Sequence, residues 1–317
     1  MTAQDRSLQQ YHQLIQLNAA SHLLRIARRI GLFDLLLKGQ HTAPQIIEAL
    51  KLEPELAISL LDALRATGAI EQYGEDFALA QVTRLLSQFD ADLGDAMWEK
   101  LEAALKENLS PESEPYHAGI AATQWTHTRT AMEAAEMLNI GEDRKDLKIV
   151  DIACGSAVWS CAVAYQDPGS QVTAIDFAGA LKAAAATAES IELGDRFSGL
   201  AGDPLQVELP AKTYDMAILA QRLHSEPTEK GTEWLKRIRA SLVDGGELIV
   251  IDLFQTTASP KLGEAIESLK MKLHTDQGGV RSPQETEQQL KDAGFGSAQF
   301  SYLPSSHVNM GLIIAKA

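Results

Sequence analysis

The sequence predicts an α/β protein: a doubly wound, mostly parallel sheet ending in an antiparallel hairpin, preceded by a mostly helical domain. Three observations carry this prediction. From residue 148 onward, short apolar runs alternate with helix-length segments, the order that builds a parallel sheet with helices on both faces. The last two runs, 297–303 and 308–316, are joined by a short Ser/His loop and so pair antiparallel. Before residue 110 the apolar residues recur at helical spacing instead.

In the N-terminal part, Leu14, Leu17, Leu23, Leu24, Ile26, Ala27, Ile30 and Phe33 trace a helix from 7 to 38, with Gly31 as a break. Thr42 followed by Pro44 reads as an N-cap and an early helical proline. Residues 54–66 form a further amphipathic helix, and 69–79 two short strands around Gly74. Three helices and a small hairpin read as a winged helix. Its third helix carries Glu53, Glu55 and Asp62 against Arg65 alone, which suits a dimerisation module better than a DNA reader. Residues 88–116 end in LSPESEPYH, which reads as a loop. A linking helix is expected over 120–139, with Trp125, His127 and Met132 as candidates to face a cleft; plain packing is the alternative. The expected domains are 1–110 and 111–317.

Composition narrows the function. A chain of 317 residues has room for about two domains. Its formal charge of −15, from 43 acids against 28 bases, repels phosphate backbones and anionic membranes, so no nucleic-acid or membrane partner is expected. No run of about 18 apolar residues occurs, and MTAQDRSLQQYHQ lacks the order of a secretory signal. Two cysteines, Cys154 and Cys161, exclude a disulfide framework and fit a reducing cytoplasm. Neither has ligand-spaced partners, so no metal site is expected.

In the C-terminal part the strands are 148–152, 171–175, 197–201, 214–220 and 247–251, with helices at 157–165, 178–190, 228–242 and 283–293. Ligands of such sheets bind at the carboxyl ends of the strands. The first strand runs into Asp151-Ile152-Ala153-Cys154-Gly155-Ser156-Ala157, whose small residues permit a tight turn and close approach. Asp176, 25 residues beyond Asp151, follows the second strand, where an acid accepts from ribose hydroxyls. Gly202-Asp203-Pro204 follows the third. The dinucleotide fingerprint G-x-G-x-x-G fails, because Val158 stands at its last position. Two acids at strand tips suit a cationic nucleoside better than a pyrophosphate. The plainer alternatives are a turn-capping Asp151 and solvated turn acids at 176 and 203.

DIACGSA at 151–157, then IDFAGAL, GDPL and the terminal hairpin in order, resemble the class I S-adenosylmethionine-dependent methyltransferases. With the N-terminal segment SHLLRIARRIGLFDLLLKGQHTAPQIIEAL, the stretch LHSEPTEKGTEWLKRIRASLVDGGELIVID and DAGFGSAQF, nearly the whole chain is similar to the small-molecule O-methyltransferases of plant and bacterial natural-product type. The resemblance implies a Rossmann-like seven-stranded methyltransferase sheet and a homodimer through the N-terminal helices. It implies methyl transfer from S-adenosyl-L-methionine, leaving S-adenosyl-L-homocysteine, to a hydroxyl of a small molecule, an aromatic one among the candidates.

By that resemblance Asp151, Ala153, Gly155, Asp176, Phe177, Gly202, Asp203, Pro204, Gln221 and Arg222 hold the cofactor. His224 would be the general base, oriented by Asp252; the alternative is a strand cap and a turn residue. Trp125, Met132, Met271 and His274 would line the acceptor pocket. Three departures stand out. Ala157 replaces a glycine, Glu226 stands where the family often has Trp, and Val280 precedes Arg281 where the plant enzymes carry a second acid. The missing second acid, which flanks the catalytic His in the family, leaves carbon or nitrogen methylation, or a cofactor-binding protein that no longer transfers methyl, as alternatives.

Overall fold

The computed structural model describes residues 3–89, 95–107, 113–255, 260–275 and 278–317, and divides the chain into two compact units, Met1–Ala96 and Met97–Ala317. The first unit holds α1 (Ala3–Arg29), α2 (Leu32–Lys38), β1 (His41–Thr42), α3 (Ala43–Leu50), α4 (Pro54–Ala66), β2 (Ile70–Tyr73), β3 (Asp76–Leu79) and α5 (Gln81–Phe89). Gly31, at φ 77°, separates α1 from α2 as expected. Thr42 caps α3 in a full capping box with Gln45, and Pro44 lies in the first turn, where its missing N–H costs nothing. The hairpin β2–β3 gains β1 on its other edge, giving the order β1-β3-β2. Leu32, Leu36, Ile46, Leu61, Leu64 and Ile70 form the core of this unit.

The helix α6 (Asp95–Glu107) runs into the second unit, which continues with α7 (Ser113–Thr123), α8 (Thr128–Met137), β4 (Lys148–Ile152), α9 (Val158–Gln166), β5 (Gln171–Asp176), α10 (Ala178–Ser190) and β6 (Phe197–Ala201). Then come β7 (Tyr214–Ala220), α11 (Thr228–Ser241), β8 (Leu242–Leu253), α12 (Leu262–His274), α13 (Pro283–Asp292), β9 (Ser297–Tyr302) and β10 (Met310–Lys316).

Two expectations differ. The helix expected over 120–139 is broken by a 3₁₀ turn at Gln124–His127. The loop expected before it becomes α7 from Ser113 on, because a Ser/Glu/Pro run is also a helix start when proline falls in the first turn. Residues 108–112 of that expected loop lie outside the described residues.

The seven-stranded sheet has the order β6-β5-β4-β7-β8-β10-β9, parallel except for β10, which is antiparallel to both its neighbours. Alternation along each strand fills both faces. Ile149, Met216, Ile218, Ile249 and Ile251 pack on one side, and Val150, Ile152, Ala217, Leu219, Leu248 and Val250 on the other. Since β5 and β7 flank β4 on opposite sides, the chain reverses direction across the sheet between β4 and β7. That crevice is where an open α/β sheet receives its ligand.

Candidate active site

The glycine loop enters the crevice under strong backbone constraint. Ala153, Gly155 and Ala157 have φ of 56°, 56° and 55°, and Gly155 N–H donates to Asp176 Oδ2 at 2.9 Å. A side chain at Gly155 would also meet Gln124, whose Oε1 would lie 2.5 Å from the added carbon. That Oε1 accepts from Ser156 N–H at 2.8 Å and from Ser156 Oγ at 3.2 Å. Gln124 is a site residue that sequence reasoning missed, since the 3₁₀ turn that aims it has no periodic signal.

The acids have distinct settings. Asp151 is buried on β4; Oδ2 accepts from Ser160 Oγ at 2.5 Å, while Oδ1 has no hydrogen-bond partner among the described residues. Burial, with the Asp176 charge nearby, pushes its carboxyl up to about 7. Asp176 accepts from Gly155 N–H and, through Oδ1, from Phe177 N–H at 2.7 Å. Each carboxylate oxygen keeps a second lone pair for a hydroxyl donor. Burial raises its pKa, with these two amides and Arg222 opposing. Phe177 is exposed beside it. Gly202 N–H donates to Asp176 O at 3.0 Å. Asp203 Oδ1 accepts from Leu205 N–H at 2.9 Å in its own turn, and Pro204 O accepts from Trp234 Nε1 at 3.1 Å.

From the tip of β7, Gln221 turns into the crevice with φ 55°. Its Nε2 lies 3.4 Å from His127 Nε2, and its buried Oε1 has no hydrogen-bond partner among the described residues. The Arg222 guanidinium lies 5.7 Å from the Trp234 ring centroid and 2.5 Å from Glu226 Oε1. Asp151 Oδ1 and Gln221 Oε1 are thus unsatisfied acceptors on adjacent strand ends. A ligand with a cationic, donor-rich end fits them; a pyrophosphate does not.

His224 sits in the 3₁₀ turn Leu223–Ser225 after β7, and Asp252 near the end of β8, both buried. His224 Nδ1 contacts Asp252 Oδ1, and Asp252 also accepts from His224 N–H at 3.1 Å and Leu253 N–H at 3.1 Å. A carboxylate only accepts, so Nδ1 carries the ring proton and Nε2 is the basic nitrogen. Burial, with Arg281, His117 and Arg222 adding to it, pushes the imidazole down to about 3. The ring is neutral near pH 7 and able to take a proton.

Val280 is part of the wall near this pair; it packs against the core. Arg281 beside it donates to Leu223 O at 3.1 Å and contacts Glu226 O. His117 on α7, also missed from sequence, is pushed down to about 3 by burial, then by Arg222 and His274. Of the expected pocket residues, Trp125 lies in the 3₁₀ turn and His274 ends α12. Met271 is fully buried, and Met132 packs against the core. Among the described residues no group of three or more His, Cys, Asp or Glu could hold a metal ion.

The sheet with its final antiparallel pair, and the polar cluster at its switch point, define an α/β enzyme of Rossmann-like class. The O-methyltransferase domain family matches residues 80–296, and the chain belongs to that family. It is 26% identical over 316 residues to the N,N-dimethyltransferase OxyT of Streptomyces rimosus, covering 90% of this chain and 91% of that one. Its fold is similar to that of an O-methyltransferase family protein from Burkholderia thailandensis, at TM-score 0.75 and 19% identity over 100% of this chain and 98% of that one. It is similar also to the mitomycin 7-O-methyltransferase MmcR, at TM-score 0.73 and 19% identity over 99% of each chain.

Proposed function

We propose that this enzyme transfers a methyl group from S-adenosylmethionine to a hydroxyl of a small molecule, with His224 as general base and Asp252 as its positioning residue. The observation that carries this reading is the buried Asp252–His224 Nδ1 contact at the switch-point edge of the sheet. S-adenosylmethionine supplies an activated electrophilic methyl; the chain's own part is to hold it, orient the acceptor and take one proton.

Asp176 would accept from the ribose hydroxyls, with Phe177, Gly202, Asp203 and Pro204 around the nucleoside. Asp151 and Gln221 would hold the methionine end. Ala153 and Gly155 keep the loop backbone close, and Arg222 closes the site from β7. His224 Nε2 takes the acceptor's proton, and Asp252 stabilises the resulting imidazolium through Nδ1–H. Positioning accounts for much of such a rate, and a base typically adds about 10²–10⁴-fold.

His224→Ala is expected to lower turnover on a phenolic acceptor by about 10²–10⁴-fold while S-adenosylhomocysteine affinity is kept. Asp252→Asn, which destroys the tautomer preference, should fall in the same range. A loss below about tenfold in both ends the base assignment. It would favour transfer to an amine, a reading that Val280 in place of an acid and the likeness to an N,N-dimethyltransferase support.

We also read the first unit as a winged-helix dimerisation module and the protein as a cytoplasmic homodimer. Exposed Leu8, Tyr11, Leu14, Ile15 and Leu17 on α1 support the dimer. The buried, unpaired Cys154 and Cys161 accord with a reducing compartment. Among the described residues no helix is long and apolar enough to cross a membrane.

A further inference from the structure

A cavity of about 350 Å³ opens between the tail of β8 and one face of α12. Leu253, Phe254, Leu269 and Val280 give it carbon walls; Glu264, Ser268 and Lys272 add polar groups along α12. Three of the lining residues, Leu253, Phe254 and Val280, stand on or between the segments that hold the His–Asp pair. Leu253 N–H donates to Asp252 at 3.1 Å, Gly279 N–H donates to His224 O at 2.9 Å, and Phe254 bridges to Arg281 across the gap.

Glu264 is the anomaly in this cavity. It is only 9% exposed, and its Oε1 has no hydrogen-bond partner among the described residues. An acid in the first turn of a helix is ordinary, because the helix dipole favours it there. That explains the residue type but not the burial, since a solvated first-turn acid would serve the dipole equally well. A buried carboxylate oxygen with no donor is costly, and such groups are rare unless something outside the chain completes them.

We propose that Glu264 is the specificity residue of this cavity and receives a protonated nitrogen of the methyl acceptor. The acceptor is then a small molecule that carries an amine remote from its methylated atom. This rests on the reading of His224 and Asp252 as the catalytic pair. A carboxylate offers acceptors only, so it selects a donor, and a charged donor makes the stronger bond in apolar surroundings. Lys272 lies two turns further along the same face, towards Gly279, and disfavours the amine at that end. The acceptor's orientation is thereby fixed, with its cationic end at Glu264.

The test compares two phenols that differ in one group, tyramine and 4-ethylphenol, by calorimetric titration of the protein saturated with S-adenosylhomocysteine. Tyramine is expected to bind about ten- to hundredfold more tightly, in keeping with a charge-assisted hydrogen bond. In Glu264→Gln that ratio should shrink to less than about threefold. With no substitution at all, 3-(4-hydroxyphenyl)propanoate should bind more weakly than 4-ethylphenol. Equal affinity of the two phenols, absence of tyramine binding at millimolar concentration, or a preference retained in Glu264→Gln each overturns the proposal. The measurement requires no turnover, so a failed His224 assignment and a failed Glu264 assignment are seen separately.

Discussion

Arg222 and Glu226 form a buried ion pair one turn apart, 2.5 Å between Nη1 and Oε1, with side chains 12% and 8% exposed. Lys230 approaches the other Glu226 oxygen at 3.2 Å. Removing one partner of a buried pair leaves an uncompensated charge, whereas removing both does not. Glu226→Ala should therefore cost about 3–5 kcal/mol by urea unfolding. Arg222→Leu combined with Glu226→Leu should cost clearly less than the single change. Equal losses would show that the pair is not coupled.

Asp176 provides the second prediction. Its carboxylate already accepts two backbone amides, so Asp176→Ala removes both the loop's anchor and the ribose acceptor. Loss of hydrogen bonds to a charged acceptor costs about 1.5–3 kcal/mol, or roughly ten- to hundredfold in cofactor affinity. Titration of S-adenosylhomocysteine into the variant reads this directly. Unchanged affinity would remove Asp176 from the site.

Stability should depend on pH with two opposite contributions. His117 and His224 are held near 3 and His127 near 4 by burial, against about 6.5 in the unfolded chain. The unfolded chain binds more protons between these values, so this stability is complete above about pH 6.5 and is lost as pH falls through 4 towards 3. Asp151 acts in the other direction. Its carboxyl is held up to about 7, against about 3.9 unfolded, so its contribution is present at low pH and lost as pH rises through 7. Melting temperatures should fall from pH 6.5 to pH 5. Asp151→Asn should gain on the wild type from pH 5 to about pH 7 and then level off; parallel curves between pH 5 and pH 7 would contradict the Asp151 assignment.

The apolar face of α1 gives the fourth. Leu14 is 67% exposed and Tyr11 61%, far more than an isolated helix surface tolerates without a partner. Light scattering at micromolar concentration should give a dimer mass. Leu14→Glu with Leu17→Glu should shift it to the monomer.

Much of the frame was legible because it depends on local periodicity. Short apolar runs marked β4, β7 and β8, and Thr42 with Pro44 marked the start of α3. The glycine loop and Asp176, which the structure brings together at 2.9 Å, were legible as neighbours because both follow carboxyl ends of parallel strands. Gln124 and His117 were not found. Their roles come from a 3₁₀ kink and from packing of α7, and a polar residue inside a short irregular turn has no pattern to betray its direction. Glu226 was noticed as a departure, but its pairing with Arg222 depends on the turn after β7 folding back, which i, i+4 spacing outside a helix does not determine. The unsatisfied oxygen of Glu264 is invisible to sequence altogether, being a property of what surrounds it.

Ala153 and Ala157 hold backbone angles that glycine adopts without strain, at about 1–2 kcal/mol each for an L-residue. Ala157 is wholly buried, its methyl set among the side chains of the first core cluster. Glycine there would relax the main chain but leave a hole behind it. The loop's curvature is thus imposed from the rear, by what the methyl touches, and is not left to the freedom of the chain. A loop bent in this way resists being remade by its ligand: it should show the same amide exchange protection empty and loaded, and any adjustment on binding must fall to the side chains facing it.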